Sequence, residues 1–140
     1  MSNEENTVNE FYMNRCAELA QTAKTRGDSP VGAVIVKAGT IIGEGIEGGK
    51  THGDITFHAE IEAIRRATEG LQNMDLSGCT LFTTHEPCIM CSYVIRHHKI
   101  SRIVVGHTSG EIGGYSSNYP ILRDRSISKW GEPPEIIDRA

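Results

Sequence analysis

Residues 79–107, CTLFTTHEPCIMCSYVIRHHKISRIVVGH, decide the predicted fold. An apolar run with β-branched and aromatic residues opens this stretch, and a second such run closes it at residues 101–107, so each predicts a strand. Between the two runs, Pro87 predicts the first turn of a helix that continues to His98. A strand, a helix and a strand in this order favour parallel strands joined by a right-handed crossover.

The residues on either side of this stretch predict the rest of a layered domain. Apolar side chains at three- and four-residue steps predict a helix over residues 5–26, which Gly27 ends. Two β-branched runs within residues 31–47 flank a short Ala-Gly-Thr turn and predict a hairpin. A stripe of alanines predicts another helix that ends at Gly70, and residues 133–138 predict a last short strand at the sheet edge. We therefore expect a three-layer α/β/α sandwich on a five-stranded mixed sheet.

Length and composition favour one domain that spans residues 1–140. The first ten residues are polar and acidic, unlike a secretory signal, and no apolar run approaches the length of a membrane span. A cytoplasmic location without membrane attachment is the expectation. In that reducing compartment the four cysteines are not expected to form structural disulfides, and the close pair Cys88 and Cys91 is expected to serve a metal or redox site. Cys16 and Cys79 are expected to be core thiols.

The overall charge bears on the kind of partner. The formal net charge is −4, the calculated pI is about 5.8, and lysines and arginines are spread without a dense block. Proteins that bind a polyanion usually present a basic face, because neutralised phosphates supply most of the affinity. The composition therefore favours a small-molecule substrate and disfavours nucleic acid as a partner, although a local basic patch is compatible with an acidic average.

Cys88 and Cys91 are the strongest chemical signal in the chain. Their i, i+3 spacing at the start of a predicted helix places both thiols on one face, where the helix dipole favours thiolates. A closed structural zinc site needs two more close-set ligands, and neither Cys16 nor Cys79 has a partner at such spacing. A thioredoxin-like redox pair is an alternative, but it leaves a second motif, HAE at residues 58–60, unexplained.

The HAE motif supplies the groups that complete a catalytic zinc site. It begins the other helix that follows a polar loop, with His58 at the first turn and Glu60 two residues on. If both helices start at the same sheet edge, His58 joins the two cysteines as a third zinc ligand. The fourth position is then open to a water molecule, whose pKa the metal lowers towards about 7. Glu60 is placed to take the proton of that water.

HAE followed by PCIMC at residues 87–91 is the signature of zinc nucleobase deaminases. The chain resembles the cytidine deaminase-like superfamily, in the branch of tRNA adenosine deaminases, bacterial guanine deaminases and fungal-type cytosine deaminases. The resemblance implies one zinc ion per subunit on His58, Cys88 and Cys91, with Glu60 as the proton shuttle. It also implies that the backbone amides of Ala59 and Cys88 face the reacting centre, that ammonia is released hydrolytically, and that the protein is a homodimer.

Four further residues are candidate substrate contacts. Glu47 stands eleven residues before the zinc histidine, where members of this branch usually carry asparagine. An ionised carboxylate only accepts hydrogen bonds, so Glu47 predicts a ring with N–H donors, unless the glycine-rich loop shifts its register. His85 either contacts the substrate or has a capping role, and Phe57 either stacks on a base or packs on the sheet. Tyr115 belongs to a candidate lid, for which a plain surface loop is the alternative.

These observations predict a zinc-dependent hydrolytic deaminase of a free nucleobase or related small heterocycle, such as a guanine-, cytosine-, pterin- or triazine-like ring. The first alternative is a tRNA-specific adenosine deaminase, and the second is a non-catalytic zinc-binding subunit, which has no need of Glu60. The tRNA enzymes of this branch usually have a basic terminal region, whereas residues 121–140 here carry four basic and four acidic side chains. The charge balance of that region therefore ranks tRNA below the small heterocycle.

Overall fold

A computed structural model describes residues 2–140. Five strands form one mixed sheet in the order β2-β1-β3-β4-β5. The pairs β1/β2 and β1/β3 are antiparallel, whereas β3/β4 and β4/β5 are parallel. The strands are β1 Gly32–Lys37, β2 Thr40–Ile46, β3 Thr80–His85, β4 Arg102–His107 and β5 Glu135–Asp138, and the α-helices are α1 Asn3–Thr25, α2 Gly49–His52, α3 Ala59–Leu71 and α4 Ile89–His97. The predicted sheet is confirmed, including the parallel β3-α4-β4 unit.

The helices cover both faces of the sheet, which confirms the three-layer arrangement. Side chains of β1 alternate between two apolar clusters, because successive residues of a strand point to opposite faces. Val34 and Val36 pack with Tyr12, Cys16 and Leu19 of α1. On the other face, β1 packs against α3, the end of α4 and Leu122 in one larger cluster. This second face carries both helices whose first residues bear the HAE and PCIMC motifs.

Helix α3 lies directly on strand β2 because two glycines of that strand leave room for its backbone. A Cβ atom on Gly45 would overlap the carbonyl oxygen of Ala59 and lie 2.8 Å from both the Ala59 carbonyl carbon and the Ala63 nitrogen. A Cβ on Gly43 would lie 2.8 Å from the Ala67 nitrogen. The position of α3 relative to the sheet therefore depends on the absence of side chains at these two positions.

Two helices begin at a later residue than the sequence predicts. Helix α4 begins at Ile89 rather than Pro87, because Cys88 has extended backbone angles and occupies the N-cap position. His58 is likewise the N-cap of α3 rather than a residue of its first turn. Each metal-binding motif therefore places its first ligand on the residue that leads into a helix.

The long segment after β4 contains only short 3-10 turns, at Gly110–Ile112, Ile121–Arg123 and Ser128–Trp130. Its second half is held by Arg96 of α4, which is 1% exposed. The Arg96 guanidinium donates hydrogen bonds to the carbonyl oxygens of Ile121 at 2.8 Å, Asp124 at 2.7 Å and Gly131 at 3.3 Å. It also lies over the ring of Trp130, with 5.0 Å between the guanidinium carbon and the ring centroid. Main-chain contacts therefore order a segment that has little regular structure.

Among the described residues, no helix combines the length and the apolar character that crossing a bilayer requires.

Candidate active site

The start of α3 and the start of α4 meet, and they bring three metal-ligating side chains together. The Nδ1 atom of His58 lies 3.5 Å from the Sγ atom of Cys88 and 3.4 Å from the Sγ atom of Cys91. The ligand atoms of the three residues all lie within 4.8 Å of one another. Cys91 is fully buried, whereas His58 and Cys88 are half-buried.

The geometry of this cluster fits zinc. For zinc–sulfur and zinc–nitrogen bonds of about 2.3 and 2.0–2.1 Å at a tetrahedral angle, the two ligand atoms lie about 3.6 Å apart. The separations of 3.5 and 3.4 Å between the His58 nitrogen and the two sulfurs are close to that value. One imidazole and two thiolates form a donor set typical of zinc, with one tetrahedral position left over for a water molecule or substrate. These three residues can therefore hold a catalytic type of metal centre.

Interactions within the cluster distribute its protons unequally among the three residues. A hydrogen bond from Cys91 is the largest influence on the Cys88 thiol and lowers its pKa to about 4, although burial opposes this change. The same contact with Cys88 raises the pKa of Cys91 well above its ordinary value. The hydrogen bond with Cys88 also raises the pKa of His58 to about 9. Cys88 is therefore the thiolate of the pair, and thiolate is the form of cysteine that binds metals.

Glu60 lies in the first turn of α3, beside the cluster. It is 4% exposed, and burial raises the pKa of its carboxyl group to about 8. A carboxyl group with a pKa near neutrality can both accept and return a proton at physiological pH, which is the requirement for a general acid–base catalyst. The side chain reaches the same cavity as His58 and Cys88.

The cavity beside the cluster contains some of the predicted contact residues and not others. Glu47 and His85 lie in its wall, together with five residues that sequence reasoning did not select. Ser29 and Val31 lie just before β1, Glu86 directly precedes the PCIMC motif, and Ser109 and Ile112 follow β4. The lining residues are Ser29, Val31, Glu47, His58, Glu60, His85, Glu86, Cys88, Ser109 and Ile112.

Glu47 and His85 are each held in place by a neighbouring group. The Glu47 carboxylate accepts a hydrogen bond of 3.1 Å from the amide of Gly49, at the start of α2. The backbone carbonyl oxygen of Glu47 accepts a second hydrogen bond, of 2.8 Å, from the Arg26 guanidinium. The Nδ1 atom of His85 lies 3.0 Å from the Oγ1 atom of Thr84, and burial lowers the pKa of His85. Glu47 therefore offers an acceptor to the cavity, and His85 offers an imidazole whose protonation is disfavoured by burial.

Phe57 and Tyr115 lie outside this cavity. The ring of Phe57 stacks on His52, with ring centroids 4.0 Å apart, and its other neighbour is the Arg65 guanidinium, 5.1 Å from the ring centroid. The Tyr115 hydroxyl donates a 2.8 Å hydrogen bond to Asp138, on the far edge strand. Neither side chain is among the residues that line the cavity, and their contact with a substrate stays a prediction. Ala59 is fully buried under β2.

Known proteins are similar to this chain in sequence. Residues 6–107 match the cytidine and deoxycytidylate deaminase zinc-binding region. A tRNA-specific adenosine deaminase of Haemophilus influenzae is 40% identical over 120 residues, which cover 85% of this chain and 69% of that protein. A tRNA-specific adenosine deaminase of Aquifex aeolicus is 36% identical over 124 residues, which cover 86% of this chain and 82% of that protein.

Solved structures agree with this assignment of the fold. A structure from work on A-to-I editing by tRNA:A34 deaminases at the wobble position has a TM-score of 0.82 at 31% identity and covers 92% of this chain and 97% of that chain. Guanine deaminase from Bacillus subtilis has a TM-score of 0.70 at 29% identity and covers 96% of this chain and 83% of that chain.

The sandwich, with a histidine and two cysteines at the starts of adjacent helices, defines a zinc-dependent deaminase domain. The chain belongs to the cytidine and deoxycytidylate deaminase zinc-binding family. The predicted superfamily and the predicted zinc cofactor are thereby confirmed.

The relatives correct the predicted substrate class. A free nucleobase or small heterocycle was the favoured substrate, and nucleic acid was disfavoured as a partner. Both expectations are wrong, because proteins 35–40% identical over most of this chain are tRNA-specific adenosine deaminases. The physical reason is that net charge averages over the whole surface, whereas a nucleic acid contacts only part of it.

Proposed function

We propose that this chain is a hydrolytic deaminase that converts an adenosine of tRNA to inosine. One observation carries the proposal: tRNA-specific adenosine deaminases align with 84–86% of this chain at 35–40% identity. The cluster of His58, Cys88 and Cys91 beside a buried glutamate supports the hydrolytic deamination independently, because that reaction needs a metal site next to a proton carrier. A cytoplasmic location and a homodimer stay predictions.

In this proposal the chain's own residues divide the chemistry between them. His58, Cys88 and Cys91 hold the zinc ion, which when bound supplies the Lewis acid that activates water. Glu60 takes a proton from the attacking water and delivers it to N1 of the adenine ring. The water oxygen bonds to C6, the bond from C6 to the exocyclic nitrogen breaks, and Glu60 returns a second proton to the departing amine. One water molecule is consumed and one ammonia molecule is released.

Glu47 contributes to substrate binding as a hydrogen-bond acceptor. Its carboxylate already accepts from the Gly49 amide and has further lone pairs that face the cavity. The substrate group opposite it must therefore be a donor. In an adenosine nucleotide the donors are the 6-amino group and the ribose 2′-hydroxyl, so Glu47 is compatible with an RNA substrate although it replaces an amide.

A groove along the outer edge of β2 supports a polyanionic substrate. Arg15, Arg26 and Arg66 line it, with the stacked rings of His52 and Phe57 at one end, and the acidic lining residues are Glu44 and Glu62. Arg26 also donates to the carbonyl of Glu47, in the cavity wall, so the groove and the cavity adjoin. Guanidinium groups bind phosphates through paired N–H donors. Glu44 already accepts from the Arg15 fork at 2.7 and 2.9 Å, so Arg26 and Arg66 are the candidates for phosphate contact.

The test is inosine formation in an anticodon stem-loop with adenosine at the wobble position. The zinc-loaded protein and its Glu60→Gln variant are compared, with Glu69→Gln as the matched control on an exposed position of the same helix. We expect inosine from the wild type and from the control, and a rate lower by about 10²–10⁴ in Glu60→Gln, because general acid–base catalysis contributes that much. The proposal fails if the wild type leaves the stem-loop unchanged, or releases ammonia only from free bases.

A further inference from the structure

The carboxylate of Glu86 is buried, and one polypeptide segment satisfies it completely. The residue is 2% exposed, directly after β3 and two positions before Cys88. Its Oε1 atom accepts from the Ser109 amide at 3.0 Å and the Ser116 hydroxyl at 2.5 Å. Its Oε2 atom accepts from the amides of Tyr115 and Ser116, both at 2.8 Å.

All four donors are neutral. Among residues 2–140, no lysine or arginine forms an ion pair with Glu86. Burial of an unpaired carboxylate is costly, so backbone dipoles directed at it must compensate for the loss of water. The segment from Ser109 to Ser116 is therefore folded around this one charge.

The same segment forms a wall of the active-site cavity and touches the metal-binding segment. Ser109 and Ile112 line the cavity. Gly113 pairs with Cys88 in an isolated β-bridge, and the Gly114 amide donates a 2.8 Å hydrogen bond to the carbonyl of Pro87. A Cβ atom on Gly113 would overlap the Glu86 carboxylate, so the two segments are in direct contact. One side chain thus sets the distance between a substrate-facing wall and a metal ligand.

We propose that Glu86 is a positioning residue that fixes the wall formed by Ser109 and Ile112 relative to Cys88, and thereby determines how tightly the cavity holds the reacting base. The identity of that base rests on the proposed function. Glutamine is nearly isosteric with glutamate, yet it cannot replace it here. Each carboxylate oxygen accepts from at least one backbone N–H, so either orientation of the amide sets its NH₂ group against a donor.

The test compares Glu86→Gln with Glu111→Gln, an exposed position of the same segment. The readouts are amide hydrogen exchange, bound zinc, and KM and kcat on the anticodon stem-loop. In Glu86→Gln we expect exchange at least about tenfold faster at the amides of Ser109, Tyr115 and Ser116, because hydrogen bonds to a charged group contribute at least that factor. We also expect retained zinc and a rise in KM that exceeds the fall in kcat. The control should match the wild type.

Unchanged exchange and unchanged KM in Glu86→Gln would overturn the proposal, as would equal effects in Glu111→Gln. A purely structural role would instead lower kcat and bound zinc together and leave KM unchanged, which also overturns it. If Glu86→Gln does not fold, Ser116→Ala removes one donor only. Faster exchange at the Tyr115 amide then supports the proposal, and unchanged exchange there refutes it. A wild type inactive on RNA refutes the proposed function, while the exchange comparison still decides the role of Glu86.

Discussion

Replacement of Gly45 by alanine should damage both stability and the metal site. The new Cβ would lie 2.8 Å from two backbone atoms of α3, whereas ordinary contact is about 3.5–4.0 Å, so the helix must move by about 1 Å. Because backbone lies on both sides, no side-chain rotation relieves the contact. We expect a loss of about 3 kcal/mol of unfolding free energy, the upper end of the range for overpacking.

The displacement also reaches His58 and Glu60, which begin the same helix. Metal–ligand distances tolerate only about 0.2 Å, and a misplacement of about 1 Å can reduce a rate on the order of 10²-fold. We therefore expect weaker zinc binding and lower activity beside the lower stability. Urea denaturation and zinc titration measure both effects.

The matched control is Gly70→Ala, near the other end of α3. No atom lies within 4 Å of a Cβ built there, so alanine should stabilise the helix by about 0.5–1 kcal/mol. Glycine-to-alanine substitution is thus predicted to raise the unfolding free energy at Gly70 in α3 and to lower it at Gly45 in β2. Wild-type stability and zinc affinity in Gly45→Ala would refute the reasoning about close packing.

Three other predictions follow from described contacts. Cys91→Ala should abolish stoichiometric zinc binding, whereas Cys79→Ala, at an equally buried thiol, should retain it by metal analysis. Arg96→Lys should lose about 2–4 kcal/mol of unfolding free energy, because an ammonium group cannot bond all three carbonyls that the guanidinium fork bonds. A urea midpoint equal to that of the wild type would contradict this prediction. A hydrogen bond from Arg15 lowers the pKa of Glu44 in the folded protein. The stability that Glu44 contributes is therefore fully present above its unfolded pKa near 4.3. This contribution disappears as the pH falls through the lower pKa of the folded state. The difference in unfolding free energy between wild type and Glu44→Gln should therefore be at most about 1 kcal/mol at neutral pH and vanish in acid.

The layered fold was predictable because its signals are local. Continuous β-branched runs, the alanine stripe of α3 and the glycines at element ends each act within a few residues of themselves. The convergence of His58 with the two cysteines was predictable for a different reason. Both motifs begin helices that cover the same face of a sheet, so their first residues meet at one edge. The helix starts were misplaced by one or two residues, since N-cap geometry depends on contacts that periodicity does not encode.

The cavity wall could not be predicted from the pattern. Ser109 and Ile112 reach the site because Glu86 binds backbone amides more than twenty residues away. Nearly every residue has a backbone amide, so the sequence does not indicate which amides bind Glu86. The same limitation applies to Tyr115, whose backbone amide donates to Glu86 while its hydroxyl donates to Asp138. The composition misranks the substrate class because total charge carries no information about how charged side chains are distributed over the surface.

The anchoring of the second half of the segment after β4 by Arg96 has a consequence for how its sequence can vary. The guanidinium recognises three carbonyl oxygens, which every amino acid possesses, and its one selective neighbour is Trp130. The exposed side chains between residues 121 and 131 can therefore be exchanged without a change in the path of the chain, whereas Leu122 is fully buried in the core. A library of variants in which Arg96 and Trp130 are kept and the exposed positions of this segment are randomised should yield a high fraction of folded proteins.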